Sequence, residues 1–132
     1  MIDSAHTFDD VAPFFASVLE HDSEAVVICD LDHTIIYMNP AAAAAQAHRG
    51  GYDLLGKSLL ACHSAESRER INQVVAWFAQ SADNNRVHTF YNPKKNRDFY
   101  MVALRDATGK LIGYYEKHET RTVDDSKRYD LS

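Results

Sequence analysis

From Glu24 to Ala45 the chain reads EAVVICDLDHTIIYMNPAAAAA. Ala25 to Cys29 and Thr34 to Met38 are short apolar runs rich in β-branched residues, and Asp30-Leu31-Asp32-His33 between them carries turn chemistry. The pattern predicts a strand, a tight turn and a second strand. Asn39 then caps a helix, with Pro40 at its first position, where a missing N–H is no loss. Ala41 to Ala45 make that helix short and small-sided.

Upstream, Phe8, Val11, Phe15, Val18 and Leu19 recur at helical spacing, with Phe14 alongside. Thr7 and Asp10 are both candidate caps. Pro13 favours Asp10, which leaves the proline in the first turn. Nothing beside this helix in sequence covers its apolar stripe, so it packs on the domain or pairs with a second copy.

Downstream, brief helical pieces stop at Gly50-Gly51 and at Gly56. Ile71, Val74, Val75 and Phe78 then mark one face of a longer helix, with Ser64 as its cap and Ser67 as the alternative. Three strands follow at 86–91, 99–105 and 111–119, and the short turns between them predict an antiparallel meander. The middle strand is apolar on both faces, which predicts cover on both sides. In the last strand Ile112, Tyr114, Glu116 and His118 alternate with Leu111, Gly113, Tyr115 and Lys117, and Gly113 marks a close approach of backbone or ligand. The chain thus divides into a helical extension (1–22), a domain (23–120) and a polar, mobile tail (121–132).

A chain of 132 residues is one domain and buries a core without disulfides or metal. Its net charge of −5 argues against nucleic acid as a partner, and Lys94-Lys95-Asn96-Arg97 reads as a solvated basic turn. No apolar run approaches the roughly 20 residues of a membrane span. The first residues lack a signal peptide's basic start and apolar core. Cys29 and Cys62 make no disulfide framework. The expectation is a cytoplasmic protein with no membrane or nucleic-acid partner.

Two resemblances meet at the first hairpin. An apolar strand followed by Asp-x-Asp-x-Thr resembles the nucleophile motif of the haloacid dehalogenase superfamily, which would make Asp30 the nucleophile, Asp32 the acid/base and Thr34 a phosphate ligand. The element order opposes it: that fold needs a parallel sheet alternating with helices, plus a downstream Lys and acidic pair, and Asp124-Asp125 follows no strand. The order is similar to the PAS family instead, over roughly residues 20–120. The resemblance is carried by VVICDLDHTIIYMNPAA (Val26 to Ala42), LLGKSLLACH (Leu54 to His63) and DATGKLIGYYEKHETR (Asp106 to Arg121), with Asn39, Gly56, Asp106 and Gly109 at pattern positions.

That resemblance implies an α+β fold, a five-stranded antiparallel sheet in the order 2-1-5-4-3, with short helices and one longer helix over one face. It implies a cavity lined by Tyr37, Ala43, Leu60, His63, Phe78, Phe90, Met101 and Tyr115, a mixture suited to a small, mostly apolar ligand with one or two polar handles. It further implies a non-enzymatic sensor, homodimeric through Phe8, Val11, Phe15 and Val18. No kinase, cyclase or DNA-binding region lies within these residues, so a separate signalling protein is the expected partner, unless the chain is a fragment. The alternative is a ligand-free dimerisation module. His63 is a candidate axial ligand for haem. Cys62 is either a redox-sensitive thiol or an inert one, and Cys29 belongs to the core. The Asn-Cys-Arg-type motif of flavin photoreceptors is absent, and His33, His48, His88 and His118 are not spaced as a zinc set.

Overall fold

The computed structural model describes all 132 residues. Its elements are α1 (Phe8–Glu20), β1 (Val26–Asp30), β2 (Ile35–Met38), α2 (Pro40–Ala45), α3 (Ala65–Gln80), β3 (Arg86–Asn92), β4 (Arg97–Arg105) and β5 (Leu111–Thr120). Three single 3-10 turns lie between α2 and α3. The five strands form one sheet in the order β2-β1-β5-β4-β3, and every pairing is antiparallel. No helix is long and apolar enough to cross a membrane.

The first hairpin folds on Asp30. Its Oδ1 accepts from the backbone N–H groups of Asp32 at 2.9 Å and Thr34 at 3.0 Å, a local bond that turns the ribbon back on itself. The acidic pair therefore closes a corner in an antiparallel sheet, and the parallel frame that a dehalogenase-type Asp30 requires is not there. Thr34 stands before β2 and bridges to Ser58, so the loop after Gly56 is stitched along the sheet edge.

The register decides which side chains meet. Met38, Val27, Glu116, Met101 and Val87 form one cross-strand row. His118, Phe99 and Phe90 form the next row on the same face. α2 and α3 pack on this face, around Phe78, Ile71, Met101, Tyr114 and Cys29. Fully burying a side chain such as Phe78 stabilises by about 2–3 kcal/mol. The opposite parity carries the row Tyr37, Ile28, Tyr115 and Val102. Gly113 is required where β5 meets β1, because a Cβ there would lie 2.3 Å from the Cys29 carbonyl oxygen.

Two polar side chains tie the layers together. Asn39 is fully buried; its Oδ1 accepts from Val26 N and Ala42 N, and its Nδ2 donates to the Leu19 and Glu24 carbonyls. It caps α2 and also holds the end of α1 against the start of β1. The Arg105 guanidinium donates to the carbonyls of Phe78 (2.7 Å), Ser81 (3.0 Å) and Asn84 (3.1 Å), closing the C-terminus of α3. Arg121, first residue of the expected tail, instead makes a bidentate pair with Asp98 at 2.7 Å and lies over the Tyr91 ring.

α1 differs from expectation at its start. Its cap is Thr7, in a reciprocal capping box with Asp10, which places Pro13 in the second turn. The proline forgoes one intrahelical bond there, and the helix continues to Glu20. No residue of α1 is buried.

Candidate functional site

Between the sheet and the helices lies a cavity of about 600 Å³, within the range of small-molecule sites. β1 and β2 line it with Val27, Ile35 and Met38; β4 and β5 contribute Phe99, Met101, Glu116 and His118. Leu54, Leu59, His63, Ile71 and Val74 close it from the helical side. About half of the lining residues are apolar, and on the sheet these are Val27, Ile35, Met38, Phe90, Phe99, Tyr100 and Met101.

The expected lining residues divide into two sets. His63, Phe90 and Met101 are on the cavity wall. Tyr37, Ala43, Leu60, Phe78 and Tyr115 are not. Tyr37 and Tyr115 share a row on the other face of the sheet, one residue out of phase with the wall. Tyr37 donates its hydroxyl to Glu20 Oε2 at 2.7 Å, and burial together with that carboxylate pushes it up to about 12. Phe78 lies in the packed core beneath the cavity, and Leu60 packs against that core. Ala43 is buried away from the wall, while Ala41 and Ala45 of the same helix reach it.

Among the polar groups of the wall are Glu116, His118, His63, Gln46 and the Glu24–Arg97 pair. Sequence reasoning named only His63 among them, although Glu116 and His118 share their parity with buried Tyr114. Glu116 accepts no hydrogen bond from the protein, and its cross-strand neighbours are Val27 and Met101. The side chain is surrounded by protein while keeping surface toward the cavity; burial pushes its carboxyl up, partly offset by nearby His63. His118 stacks on Phe99 with ring centroids 3.9 Å apart, and burial pulls its imidazole down. His63 donates Nδ1–H to the Leu59 carbonyl at 2.7 Å, leaving Nε2 as an acceptor. Glu24 and Arg97 satisfy one another at 2.9 Å.

Cys62 is exposed and lines the cavity; Cys29 is buried, and its thiol is pushed up to about 12 by that burial. No three His, Cys, Asp or Glu side chains converge as a metal set. Asp106 Oδ1 accepts from Thr108 and Lys110, and Gly109 takes φ +87°, the left-handed conformation needed to close the β4–β5 turn.

A family model described as the PAS fold matches residues 19–122. The chain belongs to the PAS family. Solved structures agree on the fold of this PAS domain. The C-terminal domain of a Streptococcus mutans protein has 17% identity over 83% of this chain and 84% of that one, with a TM-score of 0.68. The PAS domain of a Colwellia psychrerythraea protein has 14% identity over 84% of this chain and 97% of that one, with a TM-score of 0.63. The Aer2 receptor of Vibrio cholerae, described as a dual PAS-heme oxygen sensor, has 18% identity over 75% of this chain and 95% of that one, with a TM-score of 0.54. No curated protein matches the chain. At these identities the likeness carries the fold and nothing finer.

Proposed function

We propose that this PAS domain is a non-enzymatic sensory module that takes a small molecule into its cavity and passes the change to a second copy through α1. The observation that carries the reading is the cavity itself, about 600 Å³, with about half of its lining residues apolar. A core serving only dimerisation has no use for such a space. A route outward supports the same reading. Met38 lines the cavity, and Asn39 beside it holds the Leu19 carbonyl at the end of α1. Tyr37 holds Glu20 from the same strand. A ligand that displaces β2 therefore moves the base of α1.

The exposed stripe of α1 suits pairing: Phe8 is 74% exposed, Phe15 47% and Val18 70%. Phe15→Glu is expected to give monomers by light scattering, and an unchanged mass would remove α1 from the interface. Native mass spectrometry of the purified protein tests the ligand. A retained non-peptide mass that leaves on denaturation is expected. Its absence, with no small molecule raising the melting temperature, would leave the ligand-free dimerisation module as the reading.

Haem is the second reading, favoured by one group. His63 lines the cavity and donates Nδ1–H to a carbonyl, as metal-ligating histidines do, which leaves Nε2 unbonded. Glu116 conflicts with it, because an apolar macrocycle laid on that row would cover a carboxyl and offer it no bond. Soret absorbance after expression with added haem would decide for haem.

A further inference from the structure

The cavity wall presents more acceptors than the fold can use. Glu116 is the centre of the row Met38, Val27, Glu116, Met101 and Val87, with apolar side chains on both flanking strands. Nothing on β1 or β4 can bond its carboxyl. From the end of α2, Gln46 brings a buried Oε1 that has no donor. These two side chains meet at a side void of about 20 Å³, also bordered by His118, with room for one water-sized group. Just before α3, His63 lines the cavity with Nδ1–H already given to Leu59, which makes Nε2 a third acceptor in the neutral ring. Arg97, a strong donor on the same wall, is held by Glu24.

Resting on the ligand-binding reading above, we infer that the ligand is a small apolar molecule bearing a protonated primary amine, seated against Glu116. An ammonium group brings three N–H donors and no acceptor, the complement of a carboxylate, an amide oxygen and an imidazole nitrogen. Its hydrophobic body lies against Ile35, Leu54, Ile71 and Phe90. The other cations of the wall, Arg49, Arg70 and Lys95, are exposed, so salt screens their repulsion, and Arg70 is paired with Glu66.

The protonation follows from the same groups. In the ligand-free domain burial holds the Glu116 carboxyl toward its neutral form, a protonated His63 works the other way, and burial pulls the His118 imidazole toward its neutral form. An arriving ammonium stabilises the carboxylate, so Glu116 releases its proton to solvent on binding. Affinity for an amine therefore rises with pH through the raised Glu116 titration, until the amine itself deprotonates.

The test is isothermal calorimetry on the whole chain with three probes of one size: 2-phenylethylamine, 2-phenylethanol and phenylacetate. The amine is expected to bind at least about tenfold tighter than the alcohol, with proton release seen across buffers of different ionisation enthalpy. Glu116→Gln is expected to abolish that preference while holding the alcohol's affinity within about twofold, which shows the cavity intact. An amine preference that survives in Glu116→Gln overturns the inference, as does an alcohol or phenylacetate that binds as tightly as the amine; the ligand-binding reading then still stands. If none of the three probes binds, both fall.

Discussion

Replacing Gly113 by alanine puts one methyl group where the sheet has no room. Gly113 lies between its partners Asp30 on β1 and Leu104 on β4, in the middle of the sheet. The new Cβ would stand 2.3 Å from the Cys29 carbonyl oxygen, 3.3 Å from its carbonyl carbon and 3.4 Å from the Asp30 Cα. All three are backbone atoms, so no rotamer change relieves the clash. Restoring ordinary contact means separating β5 from β1 by about 1 Å, which carries the nearest ladder hydrogen bonds out of their normal range. Overpacking costs about 1–3 kcal/mol and one weakened bond about 1 kcal/mol, so about 2–4 kcal/mol is expected. Against a total stability of about 5–15 kcal/mol this is a large fraction, and it should lower the melting temperature by about 8–15 °C. Urea unfolding followed by circular dichroism measures it, with Gly109→Ala as the comparison. At Gly109 no atom lies within 4 Å of the added Cβ, and only the positive φ is penalised, by about 1–2 kcal/mol. Gly113→Ala within about 0.5 kcal/mol of wild type, or no worse than Gly109→Ala, would refute the close-approach argument.

Arg105→Ala should cost about 2–3 kcal/mol in the same assay, because the Phe78, Ser81 and Asn84 carbonyls lose their donor; Arg105→Lys should recover only part of it. Asn39→Ala should cost about 3 kcal/mol or more and speed amide exchange through α1, since two N–H groups and two carbonyls lose their partner. Glu116 predicts a pH trend. Its carboxyl takes up protons more readily folded than unfolded, so its contribution to stability is complete below its ordinary value near 4.5 and is lost as pH rises through the raised one. Glu116→Gln lacks that loss, so its stability relative to wild type should increase from pH 4 to pH 8 in chemical unfolding; a pH-independent difference would contradict the burial of that carboxyl.

The elements, their order and their turns were legible in the chain because each rests on neighbours in sequence. The alternation of 111–119, the Asp30 corner and the Asn39-Pro40 helix start all follow from short-range chemistry; Gly113 flagged a close approach, but its partner Cys29 lies 84 residues away. Pro13 misled the reading of the α1 cap because the Thr7–Asp10 box outweighed the proline's preference for the first turn. The phase of the strands was a different matter. Periodicity separates Tyr114, Glu116 and His118 from Tyr115 and Lys117, but pairing alone decides which set looks at the helices, and a one-residue error moved Tyr37 and Tyr115 to the wrong face. The site's polar groups were hidden for the same reason. Glu24 finds Arg97 across 73 residues, Asn39 reaches back 20 to Leu19, and Arg105 reaches back 27 to Phe78. Glu116 is an ordinary acid in an alternating strand until β1 and β4 place Val27 and Met101 beside it. What the amino-acid order determined was the list of parts and where each one turns. Which side chains share a wall, and which acid is left there without a partner, came only from strands distant in sequence lying side by side.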